Sequence, residues 1–63
     1  LTETEIAFLK YTCSELTYKE IASKMNLHER TIDNLRESLF DKLETRSRIG
    51  LAMYSIKHGI FAF

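Results

Sequence analysis

This 63-residue chain is poor in the residue types that define several other protein classes. It has no proline and no tryptophan, two glycines and one cysteine. A single cysteine cannot close an internal disulfide, which excludes a disulfide-stabilised scaffold and agrees with a reducing cytoplasm. Hydrophobic residues make up 44% of the chain and charged residues 29%, a composition typical of a compact globule rather than a disordered tail.

Long apolar runs and an excess of charge of one sign are also lacking. No stretch resembles a signal peptide or a membrane-spanning segment. Nine basic residues balance nine acidic ones, so net charge by itself gives no indication of a nucleic-acid partner. The distribution is uneven, because residues 30–63 carry six basic and four acidic side chains. An anionic ligand is therefore expected on the second half of the chain.

What the chain does contain is a succession of helical patterns without a strand pattern, repeat or linker. Thr2 with Glu5, and Thr17 with Glu20, form capping boxes that begin two helices. Ser47 begins the last helix and Gly59 ends it. We predict an all-α four-helix bundle in one domain, residues 1–63, with helices at about residues 3–13, 18–25, 29–43 and 47–58.

The apolar periodicity of each helix predicts the face that is buried in the core. In the third helix the spacing is i, i+3, i+7 and i+11, which follows one face of a 3.6-residue helix. The expected core residues are Ile6, Leu9 and Cys13, then Ile21, Ala22 and Met25, then Ile32, Leu35, Leu39 and Leu43, and finally Ile49, Ala52, Met53 and Ile56.

The segment from Thr17 to Leu43 contains the feature that indicates a function. Two short helices separated by about four residues are typical of a helix-turn-helix, whose second helix can lie in a DNA major groove. Asparagine pairs with adenine, arginine with guanine, and a carboxylate accepts a hydrogen bond from the cytosine amino group. The polar face of the third helix carries Arg30, Asp33, Asn34, Glu37 and Asp41, and it is flanked by Arg36 and Lys42, which can reach phosphates. The alternative is a solvated helix face without a ligand.

A second face of the fourth helix lies opposite its predicted core stripe. This face is expected to be partly exposed, and it is either ordinary surface or a contact between two copies of the chain. Its residues are Leu51, Tyr54, Ser55 and His58.

No pattern points to catalysis. His28 and His58 stand thirty residues apart, and no spacing matches a zinc site, a P-loop or a nucleophile elbow. We therefore expect no enzymatic activity, no cofactor and no metal. Cys13 continues the apolar pattern of its helix and is interpreted as a small buried hydrophobe.

A set of residues spread along the chain forms one family pattern: Leu1, Thr2, Glu5, Lys19, Glu20, Ile21, Ala22, Leu27, Thr31, Lys42, Leu43, Arg48, His58, Gly59 and Ile60. Through these residues, positions 1–60 resemble the LuxR/GerE (NarL-type) DNA-binding domain of bacterial transcription regulators. The resemblance implies a scaffold helix, a recognition helix at 29–43 in the major groove, and a fourth helix that forms a homodimer. It also implies a cytoplasmic response regulator of a two-component system, from whose C-terminus this domain is excised, with a receiver or sensor domain upstream.

The resemblance also assigns DNA contacts to individual positions. Thr17, Tyr18 and Lys19 fall where the scaffold helix touches the DNA backbone, and Thr31 falls on a further backbone contact. The positions that face the groove are Asp33, Asn34 and Glu37.

Two positions depart from the family pattern. Asp33 stands where lysine is common, which removes a charge that favours nonspecific affinity. Glu15 replaces a glycine, which predicts either ordinary backbone angles or slight strain at that turn.

Two other interpretations remain open at this point. A sigma-factor region 4 domain shares the first three helices and also binds promoter DNA. A protein-interaction module that keeps the helix-turn-helix shape without binding DNA is consistent with the zero net charge. Salt dependence separates the last from the DNA-binding interpretations, because DNA binding weakens steeply as salt is added.

Overall fold

The computed structural model describes residues 1–61, and the secondary structure within that range consists of four α-helices. The helices are α1 (Glu3–Thr12), α2 (Tyr18–Met25), α3 (Glu29–Lys42) and α4 (Arg48–Lys57). The all-α prediction is confirmed, and each predicted boundary lies within one residue of the observed one. No helix in this part of the chain is long and apolar enough to cross a membrane.

Side-chain caps begin all four helices and explain why the boundaries are readable from the sequence. The Thr2 hydroxyl accepts from the Glu5 amide at 3.1 Å, and the Glu5 carboxylate accepts from the Thr2 amide at 2.8 Å. Thr17 and Glu20 repeat this capping box at α2. His28 caps α3 through Nδ1, which accepts from the Arg30 amide at 3.2 Å. Each cap satisfies an amide that the first helical turn leaves without a backbone partner.

The core lies where α1 meets the other three helices, since α1 contacts each of them. The fully or almost fully buried hydrophobic residues are Phe8, Leu9, Ile21, Ala22, Ile32, Leu39 and Leu51. Five of these were predicted, whereas Phe8 and Leu51 were not. The predicted residues Ile6, Cys13, Met25, Leu35, Leu43 and Ala52 are half-buried.

The predicted orientation of α4 is wrong. Leu51 and Ser55 are 0% exposed, whereas Ile49 is 71% exposed and Met53 is 64% exposed. The Ser55 hydroxyl donates to the Leu51 carbonyl at 2.9 Å, which satisfies its polar atom inside the core. Because both faces of this helix carry apolar residues, periodicity did not decide which face meets α1.

Two turns explain how the helices are separated. Asn26 ends α2 with φ 56°, the left-handed conformation that asparagine tolerates well. Among residues 1–61 the other non-glycine residue with positive φ is Glu44, so Glu15 adopts ordinary backbone angles.

Arg48 joins α4 to the end of α1. Its guanidinium donates hydrogen bonds to the carbonyl of Thr12 at 3.2 Å and to that of Ser14 at 2.9 Å.

Candidate nucleic-acid interface

The α2–α3 pair has the arrangement of a helix-turn-helix, with one face of α3 buried and the other open to solvent. Ile32 and Leu39 hold the inner face of α3 in the core, and both are 0% exposed. Because these two residues are seven apart, they fix the rotation of the helix about its axis. The residues that this rotation leaves exposed are Arg30, Thr31, Asp33, Asn34, Glu37 and Asp41.

The first turn of α2 carries the residues that the family resemblance assigns to contacts with the DNA backbone. Thr17 and Lys19 are exposed, whereas Tyr18 is half-buried. The Thr17 hydroxyl is used as the helix cap, and the Thr17 amide donates to Glu20, which lowers the pKa of that carboxyl below its usual value. The Lys19 ammonium pairs with no carboxylate within residues 1–61, so its charge is available to an anion.

The Tyr18 ring is the centre of a cluster that the sequence interpretation missed. It stacks on Phe8 with ring centroids 6.1 Å apart. The Arg36 guanidinium carbon lies 5.0 Å from the Tyr18 ring centroid, and that of Arg48 lies 5.1 Å from it. Such cation–π contacts favour a fixed orientation of the guanidinium groups. The cluster therefore links all four helices beside the exposed face of α3.

Arg36 is engaged with two acidic neighbours on its own helix. Its Nη1 atom lies 3.5 Å from Asp33 Oδ1, and its Nη2 atom lies 3.6 Å from Glu37 Oε1. The Arg36 side chain is 26% exposed, whereas those of Asp33 and Glu37 are 57% and 70% exposed. The aliphatic part of Arg36 is thus largely covered, as predicted, and its guanidinium forms ion pairs with carboxylates of the same chain.

Lys42 has a structural partner that its predicted phosphate contact did not anticipate. Its ammonium lies 2.7 Å from Glu5 Oε2, and the Glu5 side chain is 6% exposed. This hydrogen bond, followed by the one from the Thr2 amide, lowers the pKa of Glu5 to about 2. Lys42 therefore helps to hold α3 against α1, while its predicted phosphate contact stays a prediction.

The structure places the four predicted dimer residues in different environments. Leu51 and Ser55 are buried inside the chain, so their prediction as dimer contacts is corrected. Tyr54 is half-buried and His58 exposed, and their rings stack with centroids 4.2 Å apart. The exposed side of α4 instead carries Ile49, Met53 and Ile56, which we call the α4 apolar face.

No group of three or more histidine, cysteine or acidic side chains in the described part of the chain could hold a metal ion. The half-buried Cys13 thiol lies 3.5 Å from the Leu9 carbonyl oxygen and 3.8 Å from that of Ala52. These contacts with backbone carbonyls fit a structural thiol in the α1–α4 contact.

Within residues 1–61, four helices with a capped scaffold helix and an exposed polar recognition helix define a helix-turn-helix DNA-binding domain. Residues 1–55 match the GerE family, described as bacterial regulatory proteins of the luxR family. The chain belongs to this family, and it is a DNA-binding domain of a transcription regulator. The membership favours this function over sigma-factor region 4 and over a module without DNA binding. It is also the ground for concluding that the domain is not an enzyme.

A relative supports the same conclusion. The transcriptional regulatory protein LnrK of Bacillus subtilis (strain 168) is 38% identical over 63 residues, which cover 100% of this chain. The chain spans 29% of the length of that relative. No solved structure matches the chain.

Proposed function

We propose that this chain is the output domain of a longer regulator of the response-regulator type, with α3 placed in the DNA major groove. The exposed polar face of α3, held outward by the buried Ile32 and Leu39, is the observation that carries this proposal. The length of LnrK supports a larger protein, because this chain accounts for 29% of it. A receiver or sensor domain upstream would then control the domain.

The contacts divide into those that hold the DNA backbone and those that distinguish bases. Lys19 and Thr31 are exposed at the starts of α2 and α3, where they suit phosphate contacts. Arg30, Asn34 and Glu37 are exposed on α3 and carry groups that match base edges in the major groove. Thr17 and Tyr18 complete the proposed contact surface through the first turn of α2.

The domain binds DNA as a homodimer through the α4 apolar face. Ile49, Met53 and Ile56 are spaced i, i+4 and i+7, so they form one stripe along the helix. An exposed apolar stripe of this kind suits a contact between copies. A symmetric pair would read half-sites one helical turn apart, and the second set of phosphate contacts would offset the zero net charge of each copy. Such a regulator of bacterial DNA acts in the cytoplasm.

Selection from a pool of random duplexes tests the proposal. The 63-residue chain is incubated with DNA randomised over about two helical turns, and bound duplexes are sequenced. We expect an enriched sequence with two related half-sites whose centres are about 10 base pairs apart. Binding to that duplex should weaken steeply with added salt. A bound fraction without sequence enrichment, or affinity that is insensitive to salt, would contradict the proposed function.

A further inference from the structure

We propose that Arg36 is a positioning residue for base recognition, which orients the carboxylates of Asp33 and Glu37 toward the amino group of a cytosine. The inference rests on the proposed placement of α3 in the major groove. It assigns Arg36 a different task from the phosphate contact that the sequence suggested. The ligand it specifies is a C·G base pair whose cytosine edge faces α3.

The position of Arg36 is set by another helix. Its guanidinium lies 5.0 Å from the Tyr18 ring centroid, and Tyr18 is in turn stacked on Phe8 of α1 at 6.1 Å. A guanidinium group is planar and stacks on aromatic faces, which an ammonium cannot do in the same way. The orientation of Arg36 is therefore determined by α1 and α2 rather than by solvent.

From this position Arg36 meets both acidic side chains. It reaches Asp33 Oδ1 at 3.5 Å through Nη1 and Glu37 Oε1 at 3.6 Å through Nη2. Two carboxylates four residues apart on a helix repel each other when no cation lies between them. The two nitrogen atoms of Arg36 offset that repulsion and hold the carboxylates on the exposed side of α3.

One oxygen of each carboxylate remains available to a ligand. The ion pairs involve Oδ1 of Asp33 and Oε1 of Glu37, and the two side chains are 57% and 70% exposed. The cytosine amino group is a major-groove donor to a carboxylate. The base-edge acceptors of guanine repel a carboxylate, and so does the N7 acceptor that lies beside the adenine amino group. A pair of oriented carboxylates thus selects cytosine and rejects guanine at the same position.

The test uses two substitutions of Arg36 and a matched control. Arg36→Lys keeps the positive charge but removes the planar group that bridges two carboxylates. Arg36→Gln removes the charge. Lys10→Gln is the control, because it removes a positive charge at an exposed position of α1, outside the proposed contact surface. Each variant and the wild type are incubated with the random duplex pool, and the bound duplexes are sequenced. The affinity of each protein for the enriched duplex is then measured over a range of salt concentrations.

We expect Arg36→Lys and Arg36→Gln each to lower the preference for cytosine over the other bases by about tenfold at one position of each half-site. Neither should change the slope of affinity against salt, because Arg36 touches no phosphate. Lys10→Gln should retain both the preference and the slope. In an Asp33→Asn/Glu37→Gln background, Arg36→Lys should have no further effect on the preference, because Arg36 acts through these two carboxylates.

Several results would overturn the inference. An unchanged cytosine preference in Arg36→Lys would show that Arg36 does not orient the carboxylates. A salt slope reduced by about one in Arg36→Gln would show that Arg36 contacts a phosphate. Enrichment of a wild-type site without a cytosine preference would remove the inference and leave the proposed function intact. Failure of the wild type to enrich any sequence would instead remove the proposed function. Circular dichroism of each variant at the assay temperature separates these outcomes from loss of folding.

Discussion

The Lys42 ammonium lies 2.7 Å from the Glu5 carboxylate and joins the last turn of α3 to the first turn of α1. The same carboxylate accepts a hydrogen bond from the Thr2 amide at 2.8 Å. The Glu5 side chain thus caps α1 and also holds α3 in place. The pair therefore helps to fix the direction of the proposed recognition helix.

Acid should destabilise the domain through Glu5. Its pKa in the folded chain is about 2, well below the ordinary value of 4.5. A lowered pKa contributes stability that is present above the ordinary value and is lost as the pH falls toward the folded one. We expect the free energy of unfolding to decrease between pH 4.5 and about 2.

Lys42→Met isolates this contribution, because it removes the first cause of the low pKa and leaves the Thr2 cap in place. The stability difference between the wild type and Lys42→Met should be largest near neutral pH and should shrink as the pH falls. Urea unfolding across this range measures it. A difference that stays constant with pH would show that the ion pair does not control the acid dependence.

Lys19→Ala should weaken binding to every DNA sequence. Its ammonium is exposed and pairs with no carboxylate within residues 1–61. Loss of one phosphate contact reduces the slope of log affinity against log salt by about one. Fluorescence anisotropy on enriched and scrambled duplexes measures the slope, and Lys10→Ala at an exposed position of α1 is the control. An unchanged slope would remove Lys19 from the phosphate contacts.

Asn34→Ala and Glu37→Ala, unlike Lys19→Ala, should weaken binding mainly to the preferred DNA sequence. Both side chains are exposed on α3 and are proposed to contact base edges. Each substitution should cost about 1 to 3 kcal/mol of binding free energy on the preferred duplex, with nonspecific affinity nearly retained. Ser23→Ala, at an exposed position of α2, should change neither affinity. Equal losses on preferred and scrambled duplexes would rule out a base contact.

Gly50→Ala should destabilise the fold by about 1 to 3 kcal/mol through overpacking. A Cβ atom at this position would lie 2.9 Å from the Thr45 Cβ atom, which is closer than side chains pack. Thermal unfolding measures the loss. In a Thr45→Gly background the clash is removed, so Gly50→Ala should instead stabilise the chain by about 1 kcal/mol through helix propensity. A loss of stability in both backgrounds would contradict the packing explanation.

Met53→Glu and Leu51→Ala should separate dimerisation from folding. Met53 is 64% exposed on the α4 apolar face, so its replacement by a charge should shift sedimentation toward the monomer without changing monomer stability. Leu51 is 0% exposed, and Leu51→Ala should lower the free energy of unfolding by about 2 to 5 kcal/mol. An unchanged sedimentation profile for Met53→Glu would exclude this face as the dimer contact.

Much of the fold was predictable because its signals are local. Thr2 with Glu5 and Thr17 with Glu20 form their hydrogen bonds within one helical turn, so the residue order alone reveals them. The exposed face of α3 was predictable as well, since Ile32 and Leu39 lie on a single apolar stripe with polar residues opposite.

The roles of several charged residues were not predictable in the same way. The Lys42 to Glu5 pair spans 37 positions of the sequence, and Arg36 meets a Tyr18 ring on a different helix. Spacing within one helix carries no information about such contacts. The partners of Arg36 and Lys42 within the chain therefore became known only from the structure, and their phosphate contacts stay predictions.

The sequence by itself determined the number of helices, their ends and the outward face of the third helix, because capping and periodicity act over a few residues. Only the tertiary structure decided which side of α4 is buried. Leu51 and Ser55 are covered by α1, while Ile49 and Met53 are left exposed, although both sides carry apolar residues. That choice depends on the shape and hydrogen-bonding capacity of the surface that α1 offers, which forms only when distant parts of the chain come together.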